Sequence, residues 1–297
     1  MGIQEEISES QRQLQVIDAI EADYHQEAYT KAYEQALQLI EEVELFRLNT
    51  PNLEETQQLW QRLSVLNLPV EQTGKETSAW LFLYRWLTAL FPLVIGISAT
   101  FLLTLIFSFS YHEKVNYDRL VPIHQNNQKR IQLLWSFFLL VGGFVGILRL
   151  VFLVSGLVGD FGSRYYPIVV YGESGMSMQP VGEILQQSLI LIALSIGALT
   201  ATSLLFMRLL KNQVVAFFLM VFFYLGQAYL PDTLHSFKDW LHLLPGYYLR
   251  STEVVIGNLA LAIENPLVTV SQGVQVISFY TMGVLFVLFL EDVKRRG

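Results

Sequence analysis

The 297-residue chain contains no cysteine and few charged residues. The missing cysteines exclude disulfide bonds, thiolate metal sites and a cysteine nucleophile. Charged residues make up 15% of the chain, whereas a soluble domain carries about 25%. Hydrophobic residues make up 53%. This balance predicts a protein embedded in a membrane.

Several motifs that carry chemistry are also missing. The chain has no G-x-x-x-x-G-K-[ST] loop to bind phosphates, so we expect ATP hydrolysis only on a separate polypeptide. The zinc-protease motif H-E-x-x-H is absent, because Asn116 stands where a second histidine would follow His112 and Glu113. His235 and His242 could share a helix face, but zinc usually takes three or four ligands. We predict no catalytic residue, no metal site and no cofactor on this chain.

One short motif resembles an intramembrane protease. Gly172–Gly175 reads G-E-S-G, which is similar to the G-x-S-G of rhomboid-like enzymes, whose serine begins a membrane helix. Here Ser174 is followed by Met176–Pro180, which we predict to be a polar loop. No histidine lies inside a predicted span, so we interpret the motif as a glycine-rich turn.

Charge is divided unevenly along the chain. Residues 1–78 contain 15 acidic and five basic residues, whereas residues 79–297 have a net charge of +3. No signal peptide opens the chain, because Met1–Ser10 is polar and acidic. The overall charge of −7 argues against a nucleic-acid partner. The chain therefore divides into an acidic module and a long apolar domain.

The acidic module, residues 1–78, reads as helical. Residues 8–47 lack glycine and proline and repeat apolar residues every three or four positions, which predicts one long helix or two shorter ones. Asn52 can cap a further helix, with Glu55 placed as in a capping box. The apolar stripe of that helix would consist of Leu59, Leu63 and Leu66. Residues 69–74 would form a linker.

Residues 79–297 predict a transmembrane domain, because several stretches reach the roughly 20 apolar residues that a spanning helix needs. The five predicted spans are residues 90–110, 133–156, 186–207, 213–230 and 272–290. Aromatic residues suited to the membrane interface precede the first span, namely Trp80, Tyr84 and Trp86. The short joint Arg208–Gln213 predicts a tight helical hairpin. The predicted fold class is all-α: a polytopic helical membrane protein with an N-terminal helical soluble module.

Basic residues set the expected orientation. With five spans, nine lysines and arginines fall on one side of the membrane and four on the other. The side rich in basic residues is usually cytoplasmic. We therefore expect a multi-pass protein of the cell membrane with a cytoplasmic C-terminus and an extracytoplasmic acidic module. Because no signal precedes that module, we also expect a first transmembrane helix upstream of Met1, which would give six spans.

The most informative segment follows the first predicted span. It begins with the charged pair Glu113–Lys114, continues as an amphipathic stretch and ends at Leu120–Pro122. This resembles the coupling helix of ABC-2 type permeases, the membrane subunits of ABC exporters, although Val115 stands where that family usually has glycine. The resemblance implies that this segment contacts an ATP-binding subunit. The coupling residues would be Glu113, Lys114, Tyr117, Arg119, Leu120 and Pro122.

A second resemblance lies in residues 231–270. This stretch is apolar and aromatic, but Pro245–Gly246 and Asn265–Pro266 interrupt it before it is long enough to span. ABC-2 permeases have a re-entrant helical element in the same place, before the last span. The alternative is a structured extracellular loop with an interfacial helix. The family resemblance covers about residues 80–297 and implies a homodimer or heterodimer of permeases with ATP-binding subunits that hold ATP and magnesium.

Arg149 is the one basic residue well inside an apolar stretch. A charge at that depth is costly and is a functional candidate, here for contact with an anionic substrate or a lipid. The alternative is that Arg149 extends to the outer interface or pairs with a structural partner. Gly142 and Gly146 match the small-x-x-x-small pattern that lets membrane helices approach closely.

These observations favour the permease subunit of an ABC-2-like exporter, without chemistry at substrate atoms. The alternative is a membrane sensor or self-immunity protein that binds a ligand through its outer module. An intramembrane hydrolase is disfavoured, since catalytic side chains do not converge in the spans. The sequence leaves peptide, lipid-linked and drug-like substrates open.

Overall fold

The computed structural model describes residues 2–42, 53–71, 76–111, 125–172, 175–229 and 235–294. These stretches form helices together with one two-stranded antiparallel sheet. The predicted helical class is therefore confirmed. The sheet was not predicted.

The described residues of the N-terminal part form three helices: α1 (Gly2–His25), α2 (Tyr29–Glu42) and α3 (Leu53–Leu66). The sequence left open whether the first stretch forms one helix or two. Two form, because Glu27 adopts a left-handed backbone with φ of 60°, which a continuous helix cannot contain. Helix α2 packs against both α1 and α3.

Aromatic side chains hold these three helices together. Tyr33 and Leu63 are buried, and the Tyr33 ring lies 6.2 Å from that of Trp60. The Tyr33 hydroxyl donates to the Leu68 carbonyl at 3.0 Å. Burial raises the pKa of the Tyr33 hydroxyl. The stretch after α3 is thus fastened back onto α2. That this part lies outside the membrane stays a prediction.

Within the ranges that the structure describes, four helical regions are long and apolar enough to cross a membrane: Pro92–Phe109, Ile131–Val158, Val181–Leu210 and Val270–Lys294. The first belongs to a helix that runs through α4 (Ala79–Leu90), a π-helical turn (Phe91–Ile95) and α5 (Gly96–Tyr111). Proline lacks an N–H and clashes with the preceding turn, so Pro92 accounts for the irregular turn. The other three regions lie in α6 (Gln125–Val158), α7 (Val181–Leu210) and α11 (Val270–Lys294).

The predicted fourth span, residues 213–230, corresponds to α8 (Gln213–Tyr229), an apolar helix of 17 residues. Its length is about 26 Å, shorter than the four helices above. The predicted tight hairpin between α7 and α8 is present. Lys211 adopts a left-handed backbone with φ of 50°, and the Asn212 side chain accepts the N–H groups of Val214 and Val215 to cap α8.

Helix α7 occupies the centre of the bundle, where it packs against α4, α5, α6, α8 and α11. We call the end where α7 meets α8 the joint end, and the opposite end the hairpin end. A β-hairpin leads into α7 there, formed by β1 (Pro167–Gly172) and β2 (Gly175–Pro180), with Pro167 opposite Pro180. The prediction of a polar loop over Met176–Pro180 was wrong. The alternating polar and apolar residues of this stretch form the second strand, which the sequence analysis overlooked because it lacks β-branched residues.

From His235 onward, where the structure describes it, the interrupted segment before α11 contains four short helices. Two are 3₁₀-helices, His235–Leu243 and Pro245–Leu249. Two are α-helices of five residues, α9 (Ser251–Val255) and α10 (Asn258–Ala262). None of the four is long enough to cross a bilayer. Helix α9 and the second 3₁₀-helix pack against α7.

Candidate functional site

The predicted coupling segment lies outside the described residues. Glu113, Lys114, Tyr117, Arg119, Leu120 and Pro122 all fall between the end of α5 at Tyr111 and the start of α6 at Gln125. Helices α5 and α6 precede and follow this segment in the chain and would carry its movement into the bundle. Both helices are described. Ser174 also falls outside the described part, which stops at Gly172 and resumes at Gly175.

Arg149 lies on α6 with an exposed side chain. Gly142 and Gly146 share its helix face, because positions seven apart on a helix nearly coincide. A Cβ added at either glycine meets no atom within 4 Å in the described part of the chain. The predicted close-packing face therefore has no helix against it there. Of the predicted site residues, Arg149 alone lies in the part of the chain that the structure describes.

The 3₁₀-helix Pro245–Leu249 is a buried element at the centre of the fold. Tyr247 and Tyr248 are fully buried, and the Tyr248 hydroxyl donates to the His242 carbonyl at 2.8 Å. Gly246 donates its N–H to the Gln227 side chain at 2.8 Å. A Cβ on Gly246 would come within 2.7 Å of the Tyr224 carbonyl oxygen, so only glycine allows this approach to α8.

The same 3₁₀-helix also reaches α7 and α11. Tyr248 lies so close to Gly273 of α11 that an added Cβ would be 2.5 Å from its ring, and Leu191 of α7 is next to it. Leu191 is ten residues into α7, which is about 15 Å of helix. Residues 245–249 thus pack between three apolar helices, ten residues into α7 and close to the adjoining ends of α8 and α11. The sequence signal for this was the apolar, aromatic stretch around Pro245.

A polar cluster joins the same three helices nearer the middle of the bundle. The Thr202 hydroxyl lies 3.0 Å from the hydroxyls of both Tyr224 and Tyr280. The Tyr280 ring stacks on Phe223 with 6.1 Å between centroids. Hydroxyl contacts of this kind hold membrane helices together. Sequence analysis missed the cluster, although hydroxyl side chains inside three apolar stretches were a usable signal.

An ion pair connects α7 and α11 at the joint end. Arg208, with 3% of its side chain exposed, donates to the Asp292 carboxylate at 3.1 Å and has Glu291 at 3.9 Å. A cavity of 160 Å³ adjoins this pair, and Leu133 of α6 lines it as well. In the sequence, Arg208 contributed only to the count of basic residues that predicts the orientation in the membrane. Its partner was missed because it lies 84 residues away.

Two larger cavities lie at the hairpin end. One of 450 Å³ is mostly apolar and is lined by β1, α9, α10 and the start of α11. Tyr171 forms part of its wall, and its hydroxyl donates to Glu55 of α3 at 3.4 Å. Burial, with a smaller effect of the Glu55 carboxylate, raises the pKa of Tyr171. The other cavity, of 460 Å³, lies between α3, α4 and β1.

Within the described stretches, no three His, Asp or Glu side chains come together in a way that could hold a metal ion. His242 is described, and its Nδ1 atom is buried. His235 begins the first 3₁₀-helix.

Comparison with known proteins adds no assignment: no protein-family model matches the chain, and neither a curated protein nor a solved structure is significantly similar to it.

Proposed function

We propose that this chain is the permease subunit of an ABC-2-like exporter, driven by a separate ATP-binding subunit. The observation that carries the proposal is the insertion of residues 245–249 between α7, α8 and α11, immediately before the last long apolar helix. The resemblance seen in the sequence implies a re-entrant element at this place in the chain. Backbone that is not a spanning helix is tolerated at membrane depth only where protein or water surrounds it. The buried Tyr247 and Tyr248 meet that requirement.

The arrangement of the bundle gives the proposal a mechanical basis. Thr202 links helices α7, α8 and α11 in their middle, and Arg208 links α7 and α11 at the joint end. Helices α5 and α6 flank the predicted coupling segment and both pack on α7. A push on that segment would therefore be transmitted to the central helix. On this proposal, ATP and magnesium bind the partner subunit, and two permease subunits assemble as a homodimer or a heterodimer.

Arg149 has a place in the proposal as a contact for an anionic substrate or lipid. Its side chain is exposed on an apolar helix. Because Cβ atoms point toward the N-terminus of a helix, the side chain leaves α6 in the direction of the joint end. Reaching the membrane surface at the hairpin end would require it to turn back along the helix. We therefore propose that an anion from a partner, a substrate or a lipid balances the positive charge of Arg149.

The test is co-purification with a candidate ATPase encoded beside this chain. The variant Tyr117→Ala/Leu120→Asp removes apolar contacts from the predicted coupling segment and should abolish the complex and ATP-dependent transport. A matched variant at the hairpin end, Tyr165→Ala, should leave both intact, because Tyr165 is exposed and lies at the opposite end of the bundle from the joint end.

Membrane insertion of both variants is the control for folding. If the ATPase still binds the double variant at full yield and transport continues, the predicted segment does not couple the two subunits. If no ATPase binds the wild-type chain, the sensor or self-immunity alternative becomes the better explanation.

A further inference from the structure

The 460 Å³ cavity at the hairpin end is a groove between the N-terminal helices and the start of the first spanning helix. One wall is a single face of α4, made of Leu81, Tyr84, Arg85, Thr88 and Ala89. Leu59 of α3 and residues 166–169 form the opposite wall, and Glu71 and Glu76 close one side. The volume falls within the range of ligand pockets, about 300–1,000 Å³.

Three charged side chains line the groove. Arg85 donates to Glu76 at 3.0 Å, and the Glu76 side chain is only 12% exposed, whereas that of Arg85 is 47% exposed. One oxygen of Glu71 accepts the N–H groups of Thr77 and Ser78, at 2.9 and 3.0 Å. Among the described residues that line the groove, two carboxylates against one guanidinium give a net charge of −1. It therefore favours a ligand with a cationic group over a purely anionic one.

The groove opens toward the apolar surface of the spanning helix. Ala89, at its rim, is exposed, and Leu90, Leu93 and Val94 follow with 40%, 46% and 50% of their surface exposed. This surface runs directly into the apolar region Pro92–Phe109. An occupant could therefore keep a hydrocarbon chain against α4 and α5 while its polar end enters the groove.

We infer that this groove binds a phospholipid whose headgroup carries a primary amine, of the phosphatidylethanolamine type. The ammonium group donates hydrogen bonds to the carboxylates of Glu76 and Glu71. The phosphate lies against Arg85, whose exposed guanidinium retains free N–H positions beside Glu76. The acyl chains lie along Leu90, Leu93 and Val94. The bound lipid would fasten the N-terminal helices to the membrane surface, since Leu59 and Glu71 contribute to the same groove.

The test measures lipid binding to the full-length chain, stripped of lipid in neutral detergent. Dioleoyl phosphatidylethanolamine, phosphatidylcholine and phosphatidylglycerol are added separately, and bound lipid is counted by native mass spectrometry alongside the thermal unfolding midpoint. We expect the ethanolamine lipid to bind most tightly and to raise the midpoint most. Glu76→Gln should weaken its binding about tenfold, the loss of one hydrogen bond to a charged group.

Two further variants make the outcome decisive. Glu264→Gln removes a carboxylate from the other large cavity at the same end and should leave binding unchanged. Ala89→Trp fills the groove at an exposed position and leaves both carboxylates in place, so it should abolish binding even if Glu76→Gln does not fold. Equal binding of all three lipids, or full selectivity in Ala89→Trp, would overturn the inference. Displacement of the ethanolamine lipid by the choline lipid at equal concentration would refute the requirement for a primary amine.

Discussion

Helices α6 and α7 are neighbours of similar length and apolar composition, yet their surroundings differ. In their apolar regions, 11% of α6 is buried, compared with 61% of α7. Helix α6 presents large apolar side chains outward, including Trp135, Phe138 and Leu150. Helix α7 buries small and hydroxyl residues such as Ser195, Ala198 and Thr202. Because apolar side chains gain nothing by leaving lipid, close packing of small residues decides which helix is central.

The arginines of the two helices give the largest expected contrast. Arg208→Leu on α7 should cost about 3 kcal/mol of stability, because it leaves Asp292 and Glu291 without their buried partner. We take the lower end of the usual range, since both carboxylates are partly exposed. Arg149→Leu on α6 should cost nothing, because the arginine lies exposed on an apolar helix. Thermal unfolding in detergent measures both changes.

Two controls sharpen this contrast. Lys211→Leu, at an exposed position beside the same joint, should have little effect on unfolding. The exchange Arg208→Asp/Asp292→Arg should recover part of the lost stability, because it restores the pair in reverse. Equal destabilisation by Arg208→Leu and Arg149→Leu would show that α6 has a partner that matches the charge of Arg149. Transport in the Arg149 variants then separates a substrate contact from a structural one: Arg149→Lys should keep activity that Arg149→Leu loses.

Glycine substitutions give the next contrast. Gly246→Ala should cost about 1–3 kcal/mol, since the added methyl group would overlap the Tyr224 carbonyl and Gln227. Gly142→Ala on α6 should instead raise stability by up to about 1 kcal/mol, because alanine is the better helix former and no atom is in its way. Thermal unfolding again provides the measurement. Destabilisation by Gly142→Ala would reveal a close helix neighbour in the assembled protein.

The smallest expected effect is at the polar cluster. Thr202→Val keeps the shape of the side chain but removes the hydroxyl shared by Tyr224 and Tyr280, at a cost of about 0.6–1.7 kcal/mol. Thr281→Val is the matched control, because its hydroxyl donates only to Ile277 of its own helix. A difference between the two variants in urea or thermal unfolding measures the helix-to-helix contact alone. No difference would mean that the cluster contributes nothing to joining α7, α8 and α11.

The sequence by itself determined the helical class, the four long apolar helices and the tight turn at Lys211. Each of these features depends on residues that are close together in the sequence. A long apolar run favours transfer into lipid, and a short polar joint between two such runs can form only a turn. The break in the segment around Pro245 was also visible, because proline and glycine interrupt a helix wherever they occur.

Only the tertiary structure decided what surrounds each helix. Apolar composition is the same whether a helix faces lipid or protein, so it could not distinguish α6 from α7. The partner of Arg208 and the two partners of Thr202 lie on other helices, at separations of 22 to 84 residues. The β-hairpin was missed for a related reason: its strands are stabilised by pairing with each other, and Met176–Pro180 has little strand propensity of its own.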